Sequence, residues 1–294
     1  MKLLFNRIFL DHNIGSTYEG SYRLRDFADL ESRYANGEEF LTLVHPQWYV
    51  DTIKDYCESG AAFAEVKLAP VSYQAACMAV GLAIEASQNG DFAVIRPPGH
   101  HASHCKASGF CLFNNVAIAS QKLVEEGKKV FILDIDGHHG DGTQNIFYES
   151  NKVFYCSIHQ QNSYPYTGTF MEIGAGAGLG FTLNIPIPEN SGEKEFFKAL
   201  QKSIDAGLRF EPDVVAISAG FDGYRKDKLL NMNFSLHAYY ECGYKLSKAF
   251  KNVFAVLEGG YHDDLRQCVD MFTEGINIGA KPSAIKWNDE LSIG

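Results

Sequence analysis

Six short runs of β-branched and aromatic residues punctuate the chain: Phe92–Arg96, Val130–Ile135, Val153–Ile158, Phe181–Ile185, Asp213–Ser218 and Val253–Leu257. Most are apolar at successive positions rather than at alternate ones. That pattern fits strands buried on both faces, as in a parallel sheet. Stretches with helical spacing of apolar residues lie between several of them: Ser72–Ser87, Asn115–Glu126, Glu193–Leu208, Leu236–Phe250 and Asp263–Ile276. Repeated strand–helix alternation predicts an α/β fold with a mostly parallel sheet covered on both faces. No Pro/Ser-rich tract, charge block or repeat divides the chain, so residues 1–294 are expected to form one domain. The first 50 residues are less regular and are expected to wrap the edge of the sheet.

Composition narrows the classes. Hydrophobic residues make up 46% of 294, enough for a large core. The formal net charge is -10, which argues against a general attraction to nucleic acid or anionic lipid. It suits solubility, or a cationic substrate such as a basic peptide or a polyamine. The seven cysteines are scattered without a CxxC pair and lie mostly in apolar stretches, as in a reducing compartment. The first residues, Met1 to Ile8, are interrupted by Asn6 and Arg7, too early for a signal-peptide core. No run reaches the roughly 18 apolar residues of a membrane span. A cytoplasmic protein that does not enter membranes is the expectation; oligomeric state is not legible.

Ligands of open α/β sheets bind beyond the C-terminal strand ends. Four ends deliver chemistry here: Pro97-Pro98-Gly99-His100-His101, Asp136-Gly137-His138-His139-Gly140-Asp141-Gly142, Ala219-Gly220-Phe221-Asp222-Gly223 and Glu258-Gly259-Gly260-Tyr261. Asp136 and His138 are two apart, so in extended backbone they share a face. With Asp222 from another strand end they make a two-carboxylate, one-imidazole metal site with an open position, as catalytic zinc sites have. Iron and manganese suit the same donors. A lone Asp136 would equally serve as a helix N-cap. His100 and His101 sit after a Pro-Pro-Gly bend and offer one base and one acid. Tyr261 can hydrogen-bond an oxyanion or be a core tyrosine. Asp134 and Asp141 are candidates to orient the histidines, to bind a second cation, or to form plain ion pairs. His139 reads as structural. The glycine-rich Gly174–Gly180 runs straight into a strand, so it reads as a rim loop and not a phosphate loop.

These motifs, with Ala107-Ser108-Gly109-Phe110-Cys111-Leu112-Phe113-Asn114-Asn115, Ser157-Ile158-His159 and Asp134 to Thr143, resemble the signature of zinc-dependent histone deacetylases, in the manner of class II and bacterial members. The resemblance spans about Val44 to Gly260. It implies an arginase–deacetylase fold with about eight strands. It implies zinc on Asp136, His138 and Asp222, and His100 and His101 as tandem base and acid leaning on Asp134 and Asp141. Tyr261 would polarise the acyl carbonyl, Phe110 would wall an acyl-lysine tunnel, and Gly109 would accept the substrate amide. Potassium is implied at Ser157 and the backbone from Asp134 to His138, and a second near the carbonyls of Phe147 and Phe181.

Two stretches depart from the family pattern where the tunnel mouth is shaped. Tyr18-Glu19-Gly20-Ser21-Tyr22-Arg23-Leu24 replaces His-Pro-Glu-x-x-x-Arg-Leu, and Tyr164-Pro165-Tyr166-Thr167-Gly168 replaces Tyr-Pro-Gly-Thr-Gly. The implied reaction is hydrolysis of an acyl-lysine amide in a peptide or protein. The alternative is an acetylpolyamine or other small acetylated amine; Leu229 stands where some polyamine-selective relatives resemble each other in having Glu. A silent acyl-lysine reader would be expected to lack one of the catalytic groups, and a ureohydrolase would need a two-metal carboxylate cluster.

Overall fold

The structure, a computed structural model, describes residues 1–63 and 66–280. Seven parallel strands build the main sheet: β1 Leu3–Leu4, β2 Phe92–Ala93, β3 Val130–Asp134, β4 Val153–Gln160, β5 Thr182–Ile187, β6 Val214–Ala219 and β7 Val253–Leu257. Their order is β1-β2-β7-β6-β3-β4-β5. All predicted strands are present. The count is seven among the described residues, where the family resemblance implied about eight. A separate antiparallel pair, Ala62–Phe63 with Val66–Lys67, was not predicted; within the main sheet, the strand that periodicity did not predict is β1. It is two residues long, too short to carry a period, and is ordered by pairing Leu3 with Phe92 and Leu4 with Ala93.

The continuous apolar runs have the burial they require: every residue of β3 and β7 is buried. Both faces are covered. Helices α1 Gln47–Ser59, α2 Pro70–Asn89, α3 Asn115–Glu125, α4 Asp141–Phe147, α5 Glu193–Phe210, α6 Leu236–Ala249 and α7 Leu265–Gly279 flank the sheet. Helix α2 starts on Pro70, a first-turn position where a missing N–H costs nothing. Helix α3 is capped by Asn114, whose side chain accepts from Ala117 N at 3.0 Å. Helix α1 is an addition to the expected helices; it buries Tyr49, Val50, Ile53 and Cys57, which fall on one helical face. The single-domain expectation also ran over residues 281–294, which lie outside the described residues.

Because the sheet is parallel, its C-terminal strand ends share one edge. Register sets them level: Asp134 of β3 is paired with Ser157 of β4 and Ser218 of β6, and Ala219 of β6 with Leu257 of β7. The loops that follow these residues therefore converge. The seven cysteines are free thiols, and all except Cys105 are buried. No helix among the described residues is long and apolar enough to cross a membrane.

Candidate active site

The β3 and β6 ends bring Asp136, His138 and Asp222 together. One ligand atom from each lies within 4.8 Å of the others, and all three residues are buried. His138 Nδ1 is 2.6 Å from Asp222 Oδ2 and 3.3 Å from Asp136 Oδ1. Backbone amides hold the carboxylates in place: Gly137 N donates to Asp222 Oδ1 at 2.6 Å, and Gly259 N to Asp136 Oδ2 at 2.7 Å. The main chain closes the floor. A Cβ on Gly220 would lie 2.0 Å from Asp136 Oδ2, and one on Gly259 would lie 2.6 Å from the same atom. Only glycine permits that approach.

Two carboxylates without solvent are costly unless a cation is shared between them. Burial and the neighbouring Asp136 charge push Asp222 up to about 7. Burial opposes charge on His138, but the Asp222 and Asp136 carboxylates overcome it and hold it up at about 10. The trio thus favours positive charge at its centre. Two oxygens and one nitrogen, with no thiolate, suit a metal ion with an open coordination position.

The β2 end supplies the paired histidines, their rings 4.0 Å apart. His100 Nδ1 donates to Asp134 Oδ2 at 3.1 Å, and His101 Nδ1 to Asp141 Oδ1 at 2.7 Å. Each ring therefore turns its Nε2 away from its carboxylate. Their surroundings differ. Burial disfavours charge on His100, but Asp136 and Asp134 outweigh it and raise its pKa well above the ordinary value. His101 is lowered to about 4 by burial and by the adjacent His100 charge, against a smaller upward pull from Asp141.

A cavity of about 380 Å³ opens above this group, lined by His101, Gly109, Phe110, His138, Leu229 and Tyr261. Phe110 holds φ +68° and lies with its ring 6.1 Å from that of Tyr261. A larger cleft of about 730 Å³ lies at the opposite edge, beside Gly90, Val214 and Val253, and contains none of these residues.

Four groups escaped the reading of the motifs. Asp227 accepts from Tyr261 N at 2.6 Å and from Leu229 N at 2.8 Å. Glu258 accepts from Gly99 N at 2.7 Å and His100 N at 3.1 Å, tying the tyrosine strand to the histidine turn. A carboxylate ending the apolar run Val253–Leu257 was the available signal. Arg23 and Glu19 were expected at the tunnel mouth; instead both are buried beneath the tyrosine loop. Arg23 Nε donates to Gly260 O at 2.7 Å and Nη2 to Glu258 O at 2.6 Å, and its guanidinium stands 4.7 Å from the Tyr261 ring centroid. Glu19 accepts two bonds of 2.6 Å from Arg96 and one of 3.1 Å from Arg23.

His139 turns away from the trio, toward Thr167 Oγ1 at 2.8 Å and Gln144 Oε1 at 3.1 Å. Of the residues implied for potassium, Asp134 and Ser157 are register neighbours, and Ser157 Oγ lies 2.8 Å from His159 Nδ1. The Phe147 and Phe181 carbonyls accept from Ser150 N at 2.9 Å and Tyr155 N at 3.0 Å.

Comparison with known proteins matches most of the chain to one family. The sequence profile of the histone deacetylase domain matches residues 13–276. A probable deacetylase of Archaeoglobus fulgidus is 36% identical over 258 residues, 83% of this chain and 72% of that one. The HDA15 HD domain superposes with a TM-score of 0.87 at 29% identity, covering 96% of this chain and 90% of that one. An acetylpolyamine aminohydrolase from Burkholderia pseudomallei superposes with a TM-score of 0.84 at 27% identity, covering 95% and 99%. With a matching profile, a shared fold and a buried Asp–His–Asp group able to hold a metal, the chain belongs to the histone deacetylase family of amide hydrolases.

Proposed function

We propose that this chain hydrolyses the side-chain amide of an acyl-lysine, most simply acetyl-lysine, within a polypeptide, releasing acetate and a free amine. The observation that carries the reading is a metal-competent trio whose His138 lines one cavity together with the oriented imidazole of His101 and the phenol-bearing Tyr261. Asp136, His138 and Asp222 would hold zinc; their donor set fits it. Zinc there supplies Lewis acidity toward a carbonyl oxygen and makes water a nucleophile near neutral pH.

The remaining roles fall to side chains. Phe110 and Leu229 pack along the aliphatic lysine stem, and the Gly109 carbonyl accepts the substrate N–H. Asp141 fixes His101 with Nδ1 protonated, so Nε2 is free to take a proton from attacking water. His100, with carboxylates on two sides, carries positive charge beside the reacting atoms. Tyr261 donates a hydrogen bond from its phenol to the acyl oxygen as negative charge grows there. His101 then returns its proton from Nε2 to the departing amine. Asp134 orients His100. Potassium at Asp134 and Ser157, and near the Phe147 and Phe181 carbonyls, belongs to this proposal on the family resemblance alone.

Substrate class follows from the mouth. The cavity lining has no carboxylate among the described residues, and Lys228 precedes Leu229 with its Nζ 5.4 Å from the Tyr22 ring. A polyamine tail would meet an apolar wall and a like charge. A second reading, an acetylpolyamine substrate, is favoured by the Burkholderia pseudomallei neighbour and by the net charge of -10. Acetate release by the zinc-loaded protein from an acetyl-lysine peptide and from acetylspermidine separates them. Faster peptide turnover, lost on chelation and restored by zinc, is expected. Faster acetylspermidine turnover transfers the proposal to the second reading, and no release from either with zinc bound refutes both.

A further inference from the structure

The loop between β4 and β5 carries five large apolar side chains into solvent, and the three most exposed lie close in sequence: Tyr166 is 79% exposed, Phe170 71% and Met171 72%. Scattered surface apolar residues need no explanation, but three within six residues beside a cavity do. Tyr166 is also held at φ +64°, a backbone conformation that favours glycine. This is the position where the family pattern has Gly, so the chain accepts strain in order to present a ring.

The loop is anchored from below. Glu172 accepts from Gly168 N at 3.1 Å and Thr169 N at 2.8 Å, and from Gln144 Nε2 of α4 at 2.6 Å. Across the mouth, Tyr164 and Ser108 hydroxyls lie 2.5 Å apart, joining the loop to the Gly109–Phe110 turn. Polar anchors face inward and apolar side chains face outward. Tyr166 itself lines the cavity that holds His101 and Tyr261, so the loop presents one of these side chains directly at the mouth.

We infer that Tyr166, with Phe170 and Met171, forms a ledge that docks an aliphatic or aromatic side chain of the polypeptide next to the acyl-lysine. The inference rests on the acyl-lysine reading above and deepens it. A polyamine has no side chain with which to use such a surface; an extended peptide entering the cavity has one on either side of the lysine.

The test compares two acetyl-lysine peptides, one flanked by phenylalanine and one by glycine, on the zinc-loaded parent, on Tyr166→Gly and on Phe170→Ser/Met171→Ser. The parent is expected to prefer the phenylalanine-flanked peptide by about tenfold in kcat/KM, the scale of one well-buried apolar contact. The preference should fall toward unity in both variants. Tyr166→Gly installs the residue that adopts this φ freely, so its Tm should not fall and a lost preference is not lost folding. A parent preference near unity, or one unchanged in both variants, overturns the ledge. So does a variant that changes only the oligomeric state by size exclusion, because then a second copy covers the patch. If neither peptide is turned over, the hydrolysis reading fails by itself. The same ratio measured as Kd with fluorescein-labelled peptides then decides the ledge: a preference lost in the variants sustains it, and equal binding overturns it.

Discussion

Replacing Arg23 with methionine tests whether a buried cation sets the position of Tyr261. Arg23 holds the tyrosine loop by two short bonds, to Glu258 O and Gly260 O, and its guanidinium lies against the Tyr261 ring. It is 2% exposed, so no water replaces it. Methionine keeps much of the stem volume and removes every donor. Each bond from a charged donor is worth about 1.5–3 kcal/mol. Loss of one partner from a buried ion pair costs about 3–5 kcal/mol. These overlap, because the same guanidinium makes both, and Glu19 keeps Arg96. The expected loss of stability is therefore about 3–5 kcal/mol, read from denaturant midpoints. The catalytic effect is bounded by what Tyr261 contributes, about 10²–10³ in kcat for one oxyanion donor. A displacement of the phenol should cost about 10- to 100-fold in kcat with KM little changed. Steady-state kinetics on an acetyl-lysine peptide should be run for Arg23→Met, Tyr261→Phe and the double variant, each at equal zinc content. If Arg23 acts through Tyr261, the double variant is scarcely slower than Tyr261→Phe. Losses that simply multiply would refute the argument, as would an Arg23→Met kcat equal to that of the parent.

Three further outcomes are expected. Asp222→Asn replaces a ligand carboxylate by a neutral amide, so zinc affinity in an indicator competition should fall by more than the roughly 10- to 100-fold typical of losing an outer-shell partner; unchanged affinity removes Asp222 from the site. Burial would raise Glu19, but Arg96 and Arg23 hold it down at about 2 from an ordinary 4.5. A depressed carboxylate stabilises the fold above about pH 4.5, and that stability drains as pH falls toward 2, where the unfolded chain takes up the proton first. The interval is worth about 3 kcal/mol, so Glu19→Gln should be less stable near neutrality and show a shallower acid slope in denaturant midpoints; an unaltered slope contradicts the assignment. Leu229→Glu should raise the acetylspermidine-to-peptide ratio of kcat/KM by about fivefold, since a half-exposed ion pair contributes at most about 1 kcal/mol; a falling ratio would show that Leu229 does not face the amine tail.

The central strands were legible because a strand buried on both faces has a distinctive composition, as in Val130–Ile135 and Val253–Leu257. The site was legible for a related reason. Each strand end fixes where the next few residues go, so Asp136, His138, Asp222 and Tyr261 could be placed on one edge before any coordinates. What resisted was held by partners remote in sequence. Arg23 meets Gly260 across 237 residues, and Arg96 meets Glu19 across 77. A buried arginine announces that a carboxylate must be near, but the sequence does not say which one. The family resemblance put the segment Tyr18–Leu24 at the mouth, whereas its Arg23 supports the tyrosine loop from behind. β1 was invisible because two residues have no period, and it exists only because β2 offers an edge.

The glycines that let the main chain close on Asp136 divide the molecule into parts with different freedom to change. At Gly220 and Gly259 even a methyl group would collide with a carboxylate oxygen. Mutational libraries aimed at new acyl groups gain nothing by sampling those positions. Room for variation lies instead at Tyr166 and Leu229, whose side chains border the open cavity, and directed evolution of selectivity belongs there.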